Sequence, residues 1–292
     1  MSAARRSAVG GALPGQRTYY DTPVVATPVW KPSIALYFFA GGLAGASAGL
    51  GLAARLAGRH RLARSCVLAA VAGAALSPAL LIEDLGRPER FHHMLRMFKV
   101  TSPMSVGTWI LTAFGGASGM AALSEVSGRL RRLGRAAEWA SAALGMPLAT
   151  YTAALIANTS MPVWRRARFH LPFLFAASSA GAAGSLAAAV TPPEESAAAR
   201  VLAVGGALAA TAATGLMERH LGEDAEPYRS GTARRFARLA GPLALAGAAT
   251  MAAGSRSRPA TVAGAALVLA SSLVERFAVY RAGADSARLT VR

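Results

Sequence analysis

Eight apolar runs, each close to the length a helix needs to cross a bilayer, constrain this chain more than any other feature. Inside the hydrocarbon layer every backbone amide must find its partner within the chain, so runs of this length fold as helices. They cover about 33–56, 65–82, 104–124, 136–157, 169–190, 200–217, 236–253 and 261–279. The expected fold class is an all-α integral membrane protein with eight transmembrane helices and both termini on one side. Residues 1–32 read as an N-terminal tail, with Tyr19, Tyr20 and Trp30 toward its membrane end, and 281–292 as a C-terminal tail.

Composition supports the same class. Hydrophobic residues make up 53% and charged residues only 15%, against about 25% charged in a soluble domain. The formal charge of +17 is carried by arginine apart from Lys31 and Lys99. No basic–aromatic interleaving accompanies it, so no nucleic acid partner is expected. Loops facing anionic headgroups of a lipid membrane are the simpler home for the arginines. Basic residues do not orient the chain, because the tight clusters and the total count favour opposite sides.

Within the first span Gly41, Gly45 and Gly49 recur every four residues, a small-residue face for a neighbouring helix. Trp30, Trp109, Trp139 and Trp164 fall near span ends, as in an interfacial belt. Arg5 and Arg6 have no apolar run directly after them, so no cleavable signal peptide is expected. The single cysteine, Cys66, excludes an intrachain disulfide and a cysteine-ligated iron–sulfur cluster on this chain.

The densest mix of opposite charges lies between the second and third spans. Glu83, Asp84, Arg87, Glu89 and Arg90 place three carboxylates and two guanidinium groups within eight residues. If that segment is helical, Asp84, Arg87 and Arg90 share one face. Ionisable groups next to spanning segments are costly unless paired, and often functional. A solvated loop whose charges stop the helix accounts for the spacing equally well.

Absences narrow the chemistry. His60, His92, His93, His170 and His220 all lie in loops or at span ends, so axial ligands for a buried haem are missing and no haem is expected. The spans hold no Asp, Glu, Lys or Arg near their middles, which argues against a pump or an ion-coupled transporter. Chemistry at one membrane surface remains. Alternation of eight spans collects Trp30, Tyr37, the charged stretch, Asn158, Trp164 and His170 on one side, with Tyr151 about two turns inside it. A phenol, a carboxylate, two arginines and several aromatics suit a lipid-soluble quinone such as menaquinone or ubiquinone. Tyr151 would donate to a carbonyl oxygen, Asp84 would relay protons, and Arg87 and Arg90 would orient Asp84 or dock a partner. Each residue also has a plain structural reading: Tyr151 and Tyr37 as packing tyrosines, His92 and His93 as solvated loop residues, Asp84 as a helix cap or the partner of Arg87.

Four local motifs give the chain a resemblance to the NrfD/PsrC family of polysulfide reductase-type membrane subunits. They are Ile34-Ala35-Leu36-Tyr37-Phe38-Phe39-Ala40-Gly41-Gly42-Leu43-Ala44-Gly45, Asp84-Leu85-Gly86-Arg87-Pro88-Glu89-Arg90-Phe91, Ser102-Pro103-Met104-Ser105-Val106-Gly107-Thr108-Trp109, and Tyr151-Thr152 followed by Pro162-Val163-Trp164. Their order fits the family over 30 to about 190, and the second and third are the specific ones.

The resemblance implies two packed four-helix bundles, 33–168 with a quinone site and 169–280. It maps the family's site tyrosine onto Tyr151 and its charged motif onto Asp84, Arg87 and Arg90. Trp30, Tyr37 and His92 complete the candidate quinone-binding set. Some members carry a histidine and an asparagine at the start of span one. Here Trp30-Lys31-Pro32-Ser33-Ile34 has neither, leaving Lys31, Ser33 and Tyr37 as candidate second partners. The implied partners are a four-cluster ferredoxin-like iron–sulfur subunit and a molybdopterin catalytic subunit, in a bacterial cytoplasmic membrane. A small-solute transporter and a purely structural anchor are the alternatives.

Overall fold

The computed structural model describes residues 30–254 and 257–289. The tail residues Tyr19 and Tyr20 therefore lie outside the described residues. Among the described residues ten α-helices are formed: α1 Ser33–Leu56, α2 His60–Asp84, α3 Pro103–Ser127, α4 Arg131–Ala157, α5 Pro162–Arg166, α6 Leu171–Val190, α7 Ala197–Leu221, α8 Glu226–Arg229, α9 Ala233–Ala253 and α10 Arg258–Leu289. Eight of them are long and apolar enough to cross a membrane, α5 and α8 being the short exceptions. The shortest of the eight, α6, has 20 residues and so spans about 30 Å, the thickness of the hydrocarbon layer.

Helix ends follow local chemistry. Ser102 caps α3 by accepting from the Ser105 amide, Pro103 starts it, and Gly128 closes it in the left-handed region at φ 67°. Prolines 78, 147 and 242 sit inside α2, α4 and α9. Each removes an amide, and nearby hydroxyls bond backbone carbonyls: Ser77 to Gly73 at 2.7 Å and Ser271 to Ala240 at 2.7 Å.

Helix packing closes two rings of four. In the first, α1 packs on α2 and α4, and α3 on α2 and α4; in the second, α6–α7–α9–α10 close in that order. The rings meet where α1 and α4 pack on α6, and α1 on α10. Glycine makes the closest approaches possible. A Cβ on Gly45 would collide with the Gly145 carbonyl of α4, and one on Gly73 would press into the backbone of α1. The stripe expected at 41, 45 and 49 is only partly an interface, because Gly49 has open space around it. Gly42, outside the stripe, is the residue that admits α6 and α10.

Two further expectations change. Trp164 does not belong to an interfacial belt: it is wholly buried, whereas Trp109 and Trp139 are exposed. The last helix does not stop near Val279 but continues to Leu289, absorbing most of the segment read as a tail.

Candidate functional site

Two constellations form on the side where α2 ends. The outer one holds the entry to α1. The Lys31 backbone amide donates to Asp84 Oδ1 at 2.7 Å, and Lys31 Nζ donates to the Glu83 carbonyl at 2.6 Å. A carboxylate at this position also complements the positive end of the α1 dipole. The Trp30 ring stacks on Trp164 with centroids 5.8 Å apart and planes at 18°. The Trp164 indole donates to the Val279 carbonyl at 2.8 Å, and the Tyr280 hydroxyl donates to the Trp30 carbonyl. α1, α2, α5 and α10 are thereby fastened together at one membrane face.

The inner constellation lies deeper. Tyr37 is six residues beyond Lys31 along α1, hence about 9 Å further in, and is buried. Tyr151, half-buried on α4, lies against α3 at Gly107, where any Cβ would overlap its ring. The two phenols are within electrostatic range of each other. Among the described residues neither hydroxyl has a hydrogen-bond partner, so both donors are free for a carbonyl oxygen.

Arg87, Arg90 and His92 join neither constellation. The stretch is not one helix: α2 ends at Asp84, Leu85 is extended, and a 3-10 helix begins at Pro88. Asp84 and the arginines therefore do not share a helical face. Asp84 bonds Lys31 instead of Arg87, and both arginines are exposed and without an ion pair among the described residues. His92 is exposed with its ring edge-on to His93 at 4.4 Å. No group of three or more His, Cys, Asp or Glu able to hold a metal occurs among the described residues.

Between α2, the 3-10 helix and α3 runs an apolar groove of about 240 Å³, walled by Pro78, Leu81, Phe91, Leu95, Leu111 and Thr112. Leu111 belongs to the same core cluster as Tyr37. Thr108, which also lines the groove, follows Gly107 on α3, and the groove is not lined by Tyr37, Tyr151 or Asp84.

The expectation that the spans lack charge near their middles is overturned. Glu275 and Arg276 stand near the middle of α10, both buried. A helix end near Val279 would leave them about one turn from it; the extension to Leu289 puts them near the helix middle. Glu138 of α4 and Glu125 of α3 also lie within helices, where Arg55 bonds Glu138 at 2.6 and 3.1 Å and Glu125 at 2.6 Å.

The family described as polysulphide reductase, NrfD, matches residues 22–218. The chain belongs to the NrfD family. The match spans the whole first ring, both tyrosines and the charged stretch, and extends through α6 into α7. No curated protein matches the chain significantly. As an NrfD-family chain with eight apolar helices, it is a multi-pass membrane protein and fits the membrane anchor of a multisubunit oxidoreductase.

Proposed function

We propose that this NrfD-family chain binds quinone or quinol at the inner constellation and links the membrane quinone pool to an iron–sulfur partner subunit. The observation that carries the reading is Tyr151 seated over Gly107 beside Tyr37, two phenol donors with no partner among the described residues, within the segment that matches the family. The adjoining groove suits an isoprenoid chain, being apolar along most of its wall. Quinone, when bound, supplies a two-electron, two-proton couple. Tyr151 would hold one carbonyl oxygen through its hydroxyl, and Tyr37 is the candidate for the other. Asp84, at the membrane face above them, would exchange protons with water.

Docking of the partner falls on the loop beyond Asp84. There Arg87, Glu89, Arg90, His92 and His93 are exposed together with Phe91, Met97, Phe98 and Val100, a mixture of charge and apolar area that suits a protein interface. The partner proposed is a four-cluster ferredoxin-like protein, with a molybdopterin subunit beyond it, in a bacterial cytoplasmic membrane. A small-solute transporter is the second reading, favoured by the buried Glu275–Arg276 pair.

Tyr151→Phe tests the site, with quinone turnover and co-purification of partners read on the same preparation. Lost turnover with partners retained supports the reading. Normal turnover removes the role given to Tyr151. Solute flux in vesicles holding this chain alone would favour the transporter.

A further inference from the structure

The second ring contains a cavity that the quinone reading does not use. It has a volume of about 220 Å³ and lies among α6, α7, α9 and α10. Two of its wall residues, Glu275 and Tyr228, are buried and carry polar atoms, Glu275 Oε1 and the Tyr228 hydroxyl, with no hydrogen-bond partner among the described residues. Glu218, at the last turn of α7, lines the same cavity on the side where the charged loop lies.

The charge pair beside the cavity is incompletely satisfied. Arg276 Nη1 is 3.5 Å from Glu275 Oε1 with no hydrogen bond between them, and among the described residues Arg276 Nε and Nη1 have no acceptor. Only Nη2 is held, by the Phe175 carbonyl at 3.0 Å and Ser179 Oγ at 3.1 Å, while the guanidinium lies over the Phe175 ring. Ser178 on α6 is paired with Ser272 on α10, hydroxyl to hydroxyl at 2.8 Å. From α9 the cavity wall is apolar, with Ala237, Ala240, Gly241 and Ala244. The pair sits at the level of Ser178, seven residues into α6, or about 11 Å from that helix end.

A half-satisfied ion pair at this depth costs several kcal/mol unless water completes it. A bound water needs only about 10–15 Å³ of such space and two or more polar partners. The cavity has room for several, and Glu218, Tyr228 and Glu275 mark out its polar contacts. Toward the opposite face the same four helices pack Ala187, Ala203, Ala207, Ala248 and Ala265 into one apolar cluster.

We propose that this cavity is a hydrated proton well, through which Glu275 exchanges a proton with water at the membrane face bearing Glu218. The step is a protonation alone. A proton enters from the face as hydronium and passes along cavity water; as an O–H bond of the last water's hydronium breaks, one forms at Glu275 Oε1, neutral water remains, and Arg276 keeps its charge, so the pair passes from neutral to singly positive. The alanine cluster ends the path half-way, which makes the device a well and not a channel.

The test is infrared difference spectroscopy on the full chain in lipid nanodiscs, stepping pH in H₂O and in D₂O. A titrating carboxyl C=O band that shifts promptly in D₂O and is lost in Glu275→Gln is the expected result. Gly241→Leu provides the second arm, because a Cβ there meets nothing within 4 Å and the side chain would fill the cavity. It should retain the band and slow its shift in D₂O. The proposal is overturned if wild type has no band that Glu275→Gln removes, or if the D₂O shift is as fast with the cavity filled. A band that exchanges slowly already in wild type means a dry or lipid-filled cavity, and overturns it too. Should Glu275→Gln fail to fold, Gly241→Leu still decides.

Discussion

Asp84 at the end of α2 accepts a 2.7 Å hydrogen bond from the backbone amide of Lys31 at the start of α1, 53 residues away. The donor is the main chain, so the identity of residue 31 matters little to this bond and the carboxylate matters much. Asp84→Ala should cost about 1.5–3 kcal/mol, the range for a hydrogen bond to a charged group. Lys31→Ala, which loses only the bond from Nζ to the Glu83 carbonyl, should cost clearly less. Thermal aggregation of the two variants in one detergent compares them; equal losses would mean that the lysine side chain, not Asp84, holds the entry to α1.

Gly107 and Tyr151 form a second matched pair. A methyl group at 107 would occupy the space of the Tyr151 ring, and such overpacking costs about 1–3 kcal/mol unless the ring moves. Gly107→Ala should therefore reduce quinone turnover about as strongly as Tyr151→Phe, with the partner still co-purifying. Adding Gly107→Ala to a Tyr151→Leu background should change little more, because contacting residues are non-additive. Additive losses would separate Gly107 from the tyrosine.

These relationships explain what the sequence shows and what it hides. Span number is legible because crossing a bilayer demands a fixed length of apolar chain. The end of α10 is not, since Arg281 and Asp285 continue the helix with charges that look like the start of a tail. Glu275 and Arg276 were hidden by that boundary. Asp84 stood out by its charge, but its partner is an amide, which no side-chain spacing reveals. Leu85 and Pro88 break the helix that spacing needed to bring Asp84, Arg87 and Arg90 together. Tyr151 was visible as a phenol near the membrane face, whereas the role of Gly107 beneath it depends on a cross-helix contact.

Gly45 and Gly49 are one turn apart on α1 and read alike in sequence, yet only Gly45 meets backbone, the carbonyl of Gly145. Gly45→Ala should destabilise by about 1–3 kcal/mol by forcing α1 from α4. Gly49→Ala should be neutral or stabilise by up to about 1 kcal/mol, as alanine does over glycine inside a helix. Detergent melting of both variants distinguishes them. Equal destabilisation would mean that Gly49 packs against a surface not contributed by this chain.

Trp164 is the largest fully buried side chain among the described residues, although it sits on a five-residue helix. It stacks on Trp30, bonds Val279, and lies where any Cβ on Gly283 would collide. Trp164→Ala should cost about 3–5 kcal/mol, the range for emptying a buried aromatic site. Trp164→Phe keeps most of the packing but loses the indole donor, and should cost less. Because the residue fastens α10 to the face that carries Asp84, the alanine variant should also lower quinone turnover, while phenylalanine keeps most of it. Paired melting and turnover measurements on the two variants check this ordering. A Trp164→Ala protein as stable as Trp164→Phe would show that the aromatic stack is not what joins the two rings at this face.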